Sequence, residues 1–351
     1  MSLILPHGYR AKLAPEMMEQ AIGLLKNAFQ KEFAARLKLR RVTAPLFVLS
    51  GTGLNDDLNG VERAVSFPIR SMNEQRAEIV HSLAKWKRMK LGTYEIPPGY
   101  GIYTDMNAIR ADEELDQIHS LYVDQWDWER TIRAEDRSFP FLQEIVREIY
   151  DVLKIMEEVV YGAFHHITPA LPNEITFIHA EDLLREYPNL SPKERENAIT
   201  QRHGAVFIVG IGAKLSNGEQ HDSRAPDYDD WSTETFWDFP AVKPNYFGLN
   251  GDLFVWNPIM ETALELSSMG IRVDKAALLR QLDLSGCPER KNLMFHKALL
   301  ENQFPLSIGG GIGQSRTCLY LFRCAHVGEV QASVWPDTMI EECRKNGIFL
   351  M

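Results

Sequence analysis

Apolar residues recur at helical spacing in two long stretches of the chain. In residues 15–39 they recur with a period close to 3.6 residues, and Lys and Glu lie between them: Met18, Ala21, Ile22, Leu25, Ala28, Phe29 and Phe33. This spacing predicts an amphipathic helix. Residues 139–164 repeat the pattern and predict a second long helix. Shorter helices are predicted over residues 181–186 and 193–201, and from about residues 274, 289 and 336.

Short runs of apolar, β-branched and aromatic residues predict the strands of a sheet. Such runs cover residues 42–49, 101–110, 119–129 and 205–209, and two further strands flank a turn at Pro258. Within residues 119–129, a period of two places Gln125, Asp127 and Glu129 on one face of the strand. Because Asp and Glu are depleted in strands, their presence here indicates a polar pocket.

The two strands that flank Pro258 also carry carboxylates. If the hairpin turns at Pro258 and Ile259, opposing residues have numbers with a constant sum. The predicted pairs are then Trp256 with Glu261, Phe254 with Ala263, and Asp252 with Glu265. Two carboxylates that face each other at ~5 Å destabilise a sheet unless a cation compensates. The alternative is a register shifted by one residue, which leaves both side chains in water.

Residues 309–316 read GGGIGQSR, so four of the first five positions lack a Cβ and a fixed cation, Arg316, ends the segment. The spacing excludes a Walker A loop and a dinucleotide fingerprint. A flat or charged group can lie against a backbone without Cβ atoms, so one interpretation is a nucleotide site. The other is a tight turn before a buried helix over residues 317–322.

Three polar segments each allow two interpretations. Residues 54–60, which include Asp56, are a solvated turn, the favoured interpretation, or a functional loop after a strand. Residues 82–90 predict a helix capped by Ser82, in which Lys85 and Arg88 share a face and Lys87 and Lys90 point away. That basic face is solvated or binds a polyanion. Residues 221–231 are an exposed acidic loop or bind an ammonium group and a carboxylate together.

Composition narrows the class of protein. The 351 residues carry a formal net charge of -10, which argues against non-specific binding to phosphate polymers. The four cysteines show no C-x-x-C spacing, and no apolar run approaches the ~20 residues of a membrane span. We therefore expect a cytoplasmic protein with reduced thiols and without membrane insertion.

Arg110 and the G-x-G-x-x-R segment resemble the second and third signature motifs of the class II aminoacyl-tRNA synthetase fold. The sequence as a whole is similar to the ammonia-dependent asparagine synthetases of the A type. The segments that carry this similarity are HSLAKWKR at 81–88, YVDQWDWE at 122–129, VGIG at 209–212, RAPDYDDWS at 224–232, GLNGD at 248–252, ELSSMGIRVD at 265–274 and GGGIGQSR at 309–316.

The resemblance implies an α+β fold with a class II aminoacyl-tRNA synthetase-like core. In this core a mixed, mostly antiparallel sheet is flanked by helices, and the protein forms a homodimer. Residues 1–351 would form a single catalytic domain with an N-terminal helical extension at about residues 1–40.

The implied reaction is the ATP-dependent amidation of L-aspartate with ammonia to L-asparagine, AMP and pyrophosphate through a β-aspartyl-adenylate. Asp56 is the position implied to bind ammonium and take its proton. The implied catalytic residues are Asp56, Lys87, Arg110, Gln125 and Arg316. Those implied to bind aspartate are Ser82, Lys87, Gln125, Asp127, Arg224, Asp229 and Arg272. Those implied to bind ATP are Arg110, His119, Asp252, Glu265, Ser268 and Arg316, and Asp252 and Glu265 would bind Mg²⁺ with it.

Two alternatives remain open. An aspartyl- or asparaginyl-tRNA synthetase-like adenylating enzyme would use the same core with an anticodon-reading domain, yet only about 40 residues precede the first motif-bearing strand. An inactive binding paralogue would have lost charged pocket residues, which this sequence retains. We therefore expect no tRNA or other nucleic acid among the partners.

Overall fold

The computed structural model describes residues 3, 5–56, 62–235 and 246–351. The helices in these ranges are α1 (Pro15–Leu37), α2 (Ala84–Thr93), α3 (Phe139–Ala163), α4 (Ala180–Glu186), α5 (Pro192–His203), α6 (Lys275–Leu284), α7 (Met294–Leu300), α8 (Gln314–Leu321) and α9 (Asp337–Lys345). The strands are β1 (Leu39–Arg41), β2 (Phe47–Leu49), β3 (Ser66–Ile69), β4 (Gln75–Ile79), β5 (Gly101–Ile109), β6 (Tyr122–Thr131), β7 (Thr176–His179), β8 (Ala205–Val209), β9 (Asn250–Asn257), β10 (Thr262–Ile271) and β11 (Ser307–Gly313).

Eight strands form the main sheet, in the order β1-β5-β6-β11-β10-β9-β8-β7. The outermost pairs, β1 with β5 and β7 with β8, are parallel, and the pairs between them are antiparallel. The predicted α+β fold with a mixed, mostly antiparallel sheet flanked by helices is therefore confirmed. Strand β11, the last strand in sequence, lies at the centre.

Helices α1 and α3 cover one face of this sheet. The ring of Phe29 in α1 stacks on Trp126 of β6 with centroids 3.8 Å apart, and Phe33 meets Trp128 edge to face at 6.2 Å. Helix α1 ends where Lys38 adopts a left-handed conformation (φ 55), and β1 begins at the next residue. Because side chains alternate along β6, the aromatic face packs in this core and the polar face points to the opposite side.

The predicted strand at residues 42–49 is wrong in its extent. Residues 39–41 pair with β5 in the main sheet, whereas residues 47–49 pair with β4 in a separate three-stranded sheet of order β2-β4-β3. Pro45, which lacks a backbone N–H, lies in the connection where the chain leaves one sheet for the other.

The predicted register of the β9–β10 hairpin is also wrong. Ala263 pairs with Trp256 and Glu265 with Phe254, and a bulge before Ser267 then places Ser268 opposite Asp252. The four-residue turn, which ends at Glu261 with φ 51, and the bulge together shift the pairs. Asp252 is two residues from Phe254, so it shares a face with Glu265 and lies diagonally from it.

Among the described residues, no helix is both long and apolar enough to cross a membrane.

Candidate functional site

A cavity of about 500 Å³ opens on the polar face of β6. It gathers side chains from segments far apart in sequence. All of the predicted site residues line it except Lys87 and Asp252, which lie directly behind the wall: Asp56, Ser82, Arg110, His119, Gln125, Asp127, Arg224, Asp229, Glu265, Ser268, Arg272 and Arg316. The roles of these residues stay predictions.

One end of the cavity is built around the buried guanidinium of Arg272. Its Nη2 donates to Glu129 Oε2 at 2.8 Å, its Nε lies 3.1 Å from both Glu129 oxygens, and Nη1 donates to Asp229. Burial opposes the charge of Arg272, but Glu129 and Asp229 outweigh it and raise the pKa of Arg272. Burial likewise opposes ionisation of Glu129, yet Arg272 holds the pKa of this carboxyl below its usual value. We name Glu129, Asp229 and Arg272 the buried charge cluster.

The glycines of β11 make room for this end of the cavity. A Cβ at Gly309 would overlap the carboxylate of Glu129, and a Cβ at Gly311 would overlap the amide of Gln125. Residues 309–313 form a strand and not a tight turn. The groups that lie against Gly309 and Gly311 are polar side chains of the protein itself. Gly313, at the end of β11, adjoins the side chain of Arg316 in the first turn of α8.

Lys87 lies behind the cavity wall, at the end that contains the buried charge cluster, and binds Asp127 and the backbone of β6 and β11. Its Nζ donates to the carbonyls of Trp128 at 2.9 Å and Gly310 at 3.1 Å, and to Asp127 Oδ1. Burial lowers the pKa of Lys87 and raises that of Asp127. The other Asp127 oxygen, Oδ2, has no hydrogen-bond partner among the described residues. Asp127 can therefore accept a hydrogen bond from a ligand, whereas direct contact between Lys87 and a ligand requires Lys87 to give up one of these acceptors.

Of the two interpretations of the basic face on the helix after Ser82, the solvated face is wrong. Lys85, Lys87 and Arg88 are all buried, because Lys85 binds Asp227 at 3.1 Å and Arg88 donates to the Val273 carbonyl at 2.6 Å. The helix begins at Ala84, so Ser82 is not its N-cap; the Ser82 hydroxyl instead accepts the Ala84 N–H at 3.1 Å.

The other end of the cavity carries more exposed cations. Arg110 lies 3.7 Å from Glu113, and the two side chains are 28% and 23% exposed. Arg316 lies 3.5 Å from Glu265 Oε2 and donates to the Glu265 carbonyl at 3.2 Å, with 24% of its side chain exposed.

His119 lies at this end as well. Its Nδ1 lies 2.8 and 2.9 Å from the two oxygens of Asp116, and Asp116 Oδ1 also accepts the backbone N–H groups of Ile118 and His119 at 2.8 Å each. Asp116 thus fixes the orientation of the ring, and Nε2 is the ring nitrogen left for a ligand.

Asp252 and Glu265 approach each other across the diagonal between β9 and β10. Burial raises the pKa of Asp252, and the nearby charge of Glu265 adds to this, while Arg224 donates to Asp252 and opposes it. Burial also opposes ionisation of Glu265, but Arg316 and Arg224 lower its pKa. Arg224 therefore supplies part of the compensating charge that the predicted register assigned to a metal ion.

Among the described residues, no group of three or more His, Cys, Asp or Glu side chains could coordinate a metal ion without other ligands. Mg²⁺ is commonly bound by one or two carboxylates together with substrate phosphates. Glu265 on the cavity wall and Asp252 behind it fit this shared kind of site.

Two of the polar segments are more buried than the sequence suggested. Leu54, Asn55 and Asp56 are buried, so this part of the segment is not the favoured solvated turn, and residues 57–60 lie outside the described residues. In residues 221–231 the carboxylates Asp227, Asp229 and Asp230 are buried and only Asp222 is exposed. The interpretation of that segment as an exposed acidic loop is therefore wrong.

Sequence reasoning missed several residues of the wall, among them Tyr228, Ser315 and Gln331. Gln331 Nε2 donates to Ser315 Oγ at 2.9 Å. It arrives from the segment after α8, which carries no motif. Tyr228 and Ser315 lay within the segments RAPDYDDWS and GGGIGQSR, whereas Gln331 lay within none of the recognised segments.

The fold is that of the class II aminoacyl-tRNA synthetases. The asparaginyl-tRNA synthetase of Entamoeba histolytica is similar with a TM-score of 0.60 at 13% identity, over 90% of this chain and 67% of that one. The asparaginyl-tRNA synthetase of Pyrococcus horikoshii, complexed with asparaginyl-adenylate, has a TM-score of 0.60 at 12% identity, over 92% and 70%. At such identities these likenesses establish the fold alone.

Sequence comparison is more specific. The family model described as aspartate-ammonia ligase matches residues 16–347. The aspartate–ammonia ligase of Parabacteroides distasonis is 58% identical, and that of Clostridium perfringens 52% identical, each over 99% of both chains. The chain belongs to the aspartate–ammonia ligase family.

Proposed function

We propose that the protein converts L-aspartate, ammonia and ATP into L-asparagine, AMP and pyrophosphate through a β-aspartyl-adenylate. The observation that carries this proposal is one cavity with a buried charge cluster at one end and partly exposed arginines at the other. The cluster suits an amino acid, which brings an ammonium group and carboxylates. The exposed arginines suit a polyphosphate. An aspartate–ammonia ligase, the family to which the chain belongs, uses both an amino acid and ATP.

In the first step, an oxygen of the aspartate side-chain carboxylate attacks the α-phosphorus of ATP and pyrophosphate leaves. Negative charge develops on the α-phosphoryl oxygens, and Arg110 and Arg316 are the cations assigned to stabilise it. In a site that excludes water, the loss of one such donor typically costs ~3–4 kcal/mol of transition-state stabilisation. His119, oriented by Asp116, is assigned to the phosphates that leave.

Aspartate is assigned to the end with the buried charge cluster. Arg224 on the cavity wall would bind a carboxylate of the substrate, and Ser82 would contact the substrate nearby. Asp127 through Oδ2, with Gln125 and Asp229, would bind the ammonium group. Arg272 and Lys87 would act mainly by holding these groups in place, since both are already bound to the protein's own acceptors.

In the second step, ammonia attacks the acyl carbon of the adenylate, the bond to the phosphate oxygen breaks and AMP leaves. Ammonium predominates at neutral pH, so one proton must be removed before the nitrogen lone pair can attack. We assign this proton to the carboxylate of Asp56, which is buried and lines the cavity.

We propose that Glu265 and Asp252 would hold Mg²⁺ together with ATP. When bound, it would neutralise phosphate charge. Ser268, which hydrogen-bonds Asp252, would keep that carboxylate in position. In Mg²⁺ titrations of activity, Asp252→Asn and Glu265→Gln should each need more Mg²⁺; an unchanged requirement in both would remove the pair from the site.

We further propose a homodimer that acts in the cytoplasm without tRNA. No cysteine in the described part of the chain is in a disulfide, which suits a reducing compartment. Light scattering tests the dimer, and localisation of a tagged protein in cells tests the compartment.

The test of the function supplies the purified protein with aspartate, ammonium and ATP, with and without tRNA. We expect asparagine, AMP and pyrophosphate in equal amounts and no effect of tRNA. ADP as the product, or strict tRNA dependence, would contradict the proposal, and the latter would favour the tRNA synthetase-like alternative. Absence of aspartate-dependent exchange of pyrophosphate into ATP would favour the inactive binding paralogue.

A further inference from the structure

The backbone of Asp56 is held by two side chains that the proposed reaction does not use. Asn55 Oδ1 accepts the backbone N–H of Asp56 at 3.0 Å and that of His81 at 2.9 Å. Asn55 Nδ2 donates to Glu78 Oε2 and to the Ile79 carbonyl, both at 3.3 Å. His81 Nδ1 lies 2.9 Å from the Asp56 carbonyl oxygen. Because a carbonyl oxygen only accepts, Nδ1 must carry the proton.

Asn55 and His81 thus bind the N–H and the C=O of a single residue, and both side chains are buried. Asn55 is 9% exposed, His81 1% and Asp56 2%. Asp56 lies outside the helices and strands, where the backbone lacks a ladder of hydrogen bonds to hold it. Asn55 and His81 supply the missing pairing and join Asp56 to the end of β4. We call this arrangement the Asp56 clamp.

The turn before the clamp is closely packed on its other side. Gly53 adopts φ +76, and a Cβ there would lie 3.0 Å from Leu293 Cβ and 3.1 Å from His296 Nδ1. His296 is fixed in turn, since its Nε2 lies 3.0 Å from Asp227 Oδ2. Movement of the segment toward α7 would therefore cause steric overlap, and movement away from β4 would break the hydrogen bonds of Asn55.

From this geometry we infer that Asn55 and His81 are positioning residues for the ammonia step and are dispensable for adenylation. The inference rests on the proposed function, in which Asp56 takes a proton from ammonium. A displacement of about 1 Å in a reacting group can cost about 10²-fold in rate. The groups assigned to adenylation, Arg110 and Arg316, lie on other segments, and the hydrogen bonds among the described residues do not join them to the clamp.

The experiment compares His81→Phe, which keeps a ring but loses the Nδ1 donor, with His81→Asn, whose amide can donate from the same place. Aspartate-dependent pyrophosphate exchange measures adenylation, and single turnover of preformed adenylate at varied ammonium measures the second step. For His81→Phe we expect exchange close to that of the parent protein and a second step slower by about 10²-fold. His81→Asn should recover most of that loss.

Hydroxylamine in place of ammonium tests the role of the base directly. It is largely unprotonated at neutral pH, so no base has to remove a proton before it attacks the adenylate. It should restore much of the second step in His81→Phe. Asn55→Ala, which removes the shared acceptor, should behave like His81→Phe and serves as the second test if that variant does not fold. Tyr150→Phe is the matched control: it deletes a donor to the Pro172 carbonyl at 2.6 Å, remote from the cavity, and should change neither step.

Equal losses in both steps, or no difference between His81→Phe and His81→Asn, would show that the clamp only supports the fold and would overturn the inference. An unimpaired second step in the variants would also overturn it. Failure of the proposed function has a different signature, since the parent protein itself would then show no aspartate-dependent exchange or no ammonium-dependent formation of asparagine from the adenylate.

Discussion

The two ends of the cavity use the same residue type in opposite ways. Arg272, in the buried charge cluster, is 2% exposed and bound by Glu129 and Asp229. Arg110 and Arg316, at the other end, have side chains 28% and 24% exposed, and each lies more than 3 Å from its carboxylate partner among the described residues.

The difference separates a cation that stabilises the folded protein, Arg272, from cations that are accessible to a ligand, Arg110 and Arg316. Removing one partner of a buried ion pair typically costs 3–5 kcal/mol, because a charge stays buried without compensation. An exposed pair contributes only about 0–1 kcal/mol. Substitutions at the two ends should therefore separate stability from activity.

The largest expected effect is that of Arg272→Ala. It removes the cation that binds Glu129 and Asp229 directly and leaves them only the more distant Lys87 and Arg224, so we expect the free energy of unfolding to fall by about 3–5 kcal/mol. Urea denaturation measures this change. A variant that stays within about 1 kcal/mol of the parent protein would place Arg272 with the exposed arginines instead.

Arg110→Ala and Arg316→Ala should have the reverse profile. Each should lower turnover by about 10²-fold to 10³-fold, because each removes a cation from developing phosphate charge. The free energy of unfolding should change by less than about 1 kcal/mol. Steady-state kinetics and urea denaturation of the same preparations test both parts, and a folded variant with nearly full activity would refute the assignment.

Gly311→Ala should have a smaller and more local effect. The new methyl group would displace the Gln125 amide, so we expect KM for aspartate to rise about tenfold, as for one lost hydrogen bond. The matched test repeats the substitution in a Gln125→Ala background, where the obstacle is gone. If Gly311→Ala has the same effect there, the methyl group acts on something other than Gln125.

Glu113→Gln should have the smallest effect. It removes the partner of Arg110, yet both side chains are partly exposed, so stability should change by less than about 1 kcal/mol. The informative comparison is Glu129→Gln, which weakens the hold on Arg272 and should destabilise the protein clearly more. Similar effects on urea denaturation at both positions would remove the distinction between the two ends.

The sequence predicted the fold class, and twelve of the fourteen site residues that it predicted line the cavity, because motif residues such as Arg110, Gln125 and Arg316 can be recognised locally. It failed where the burial of a side chain or the register of two strands depends on residues far away in the sequence. Lys85 is buried because Asp227 lies opposite it, 142 residues along the chain. The register of β9 and β10 depends on the four-residue turn and on a bulge, and the alternation of residue types did not predict either of them.

The central position of β11 has a consequence for how the chain acquires its structure. This strand, the last in sequence, joins the partial sheet β1-β5-β6 to the partial sheet β10-β9-β8-β7. During synthesis both partial sheets expose an unpaired edge until residues 307–313 become available, and unpaired edges invite association with other chains. Pairing of β11 with β6, about 180 residues apart in sequence, is a non-local contact of the kind that slows folding. The growing chain is therefore most vulnerable to aggregation just before the glycine strand emerges.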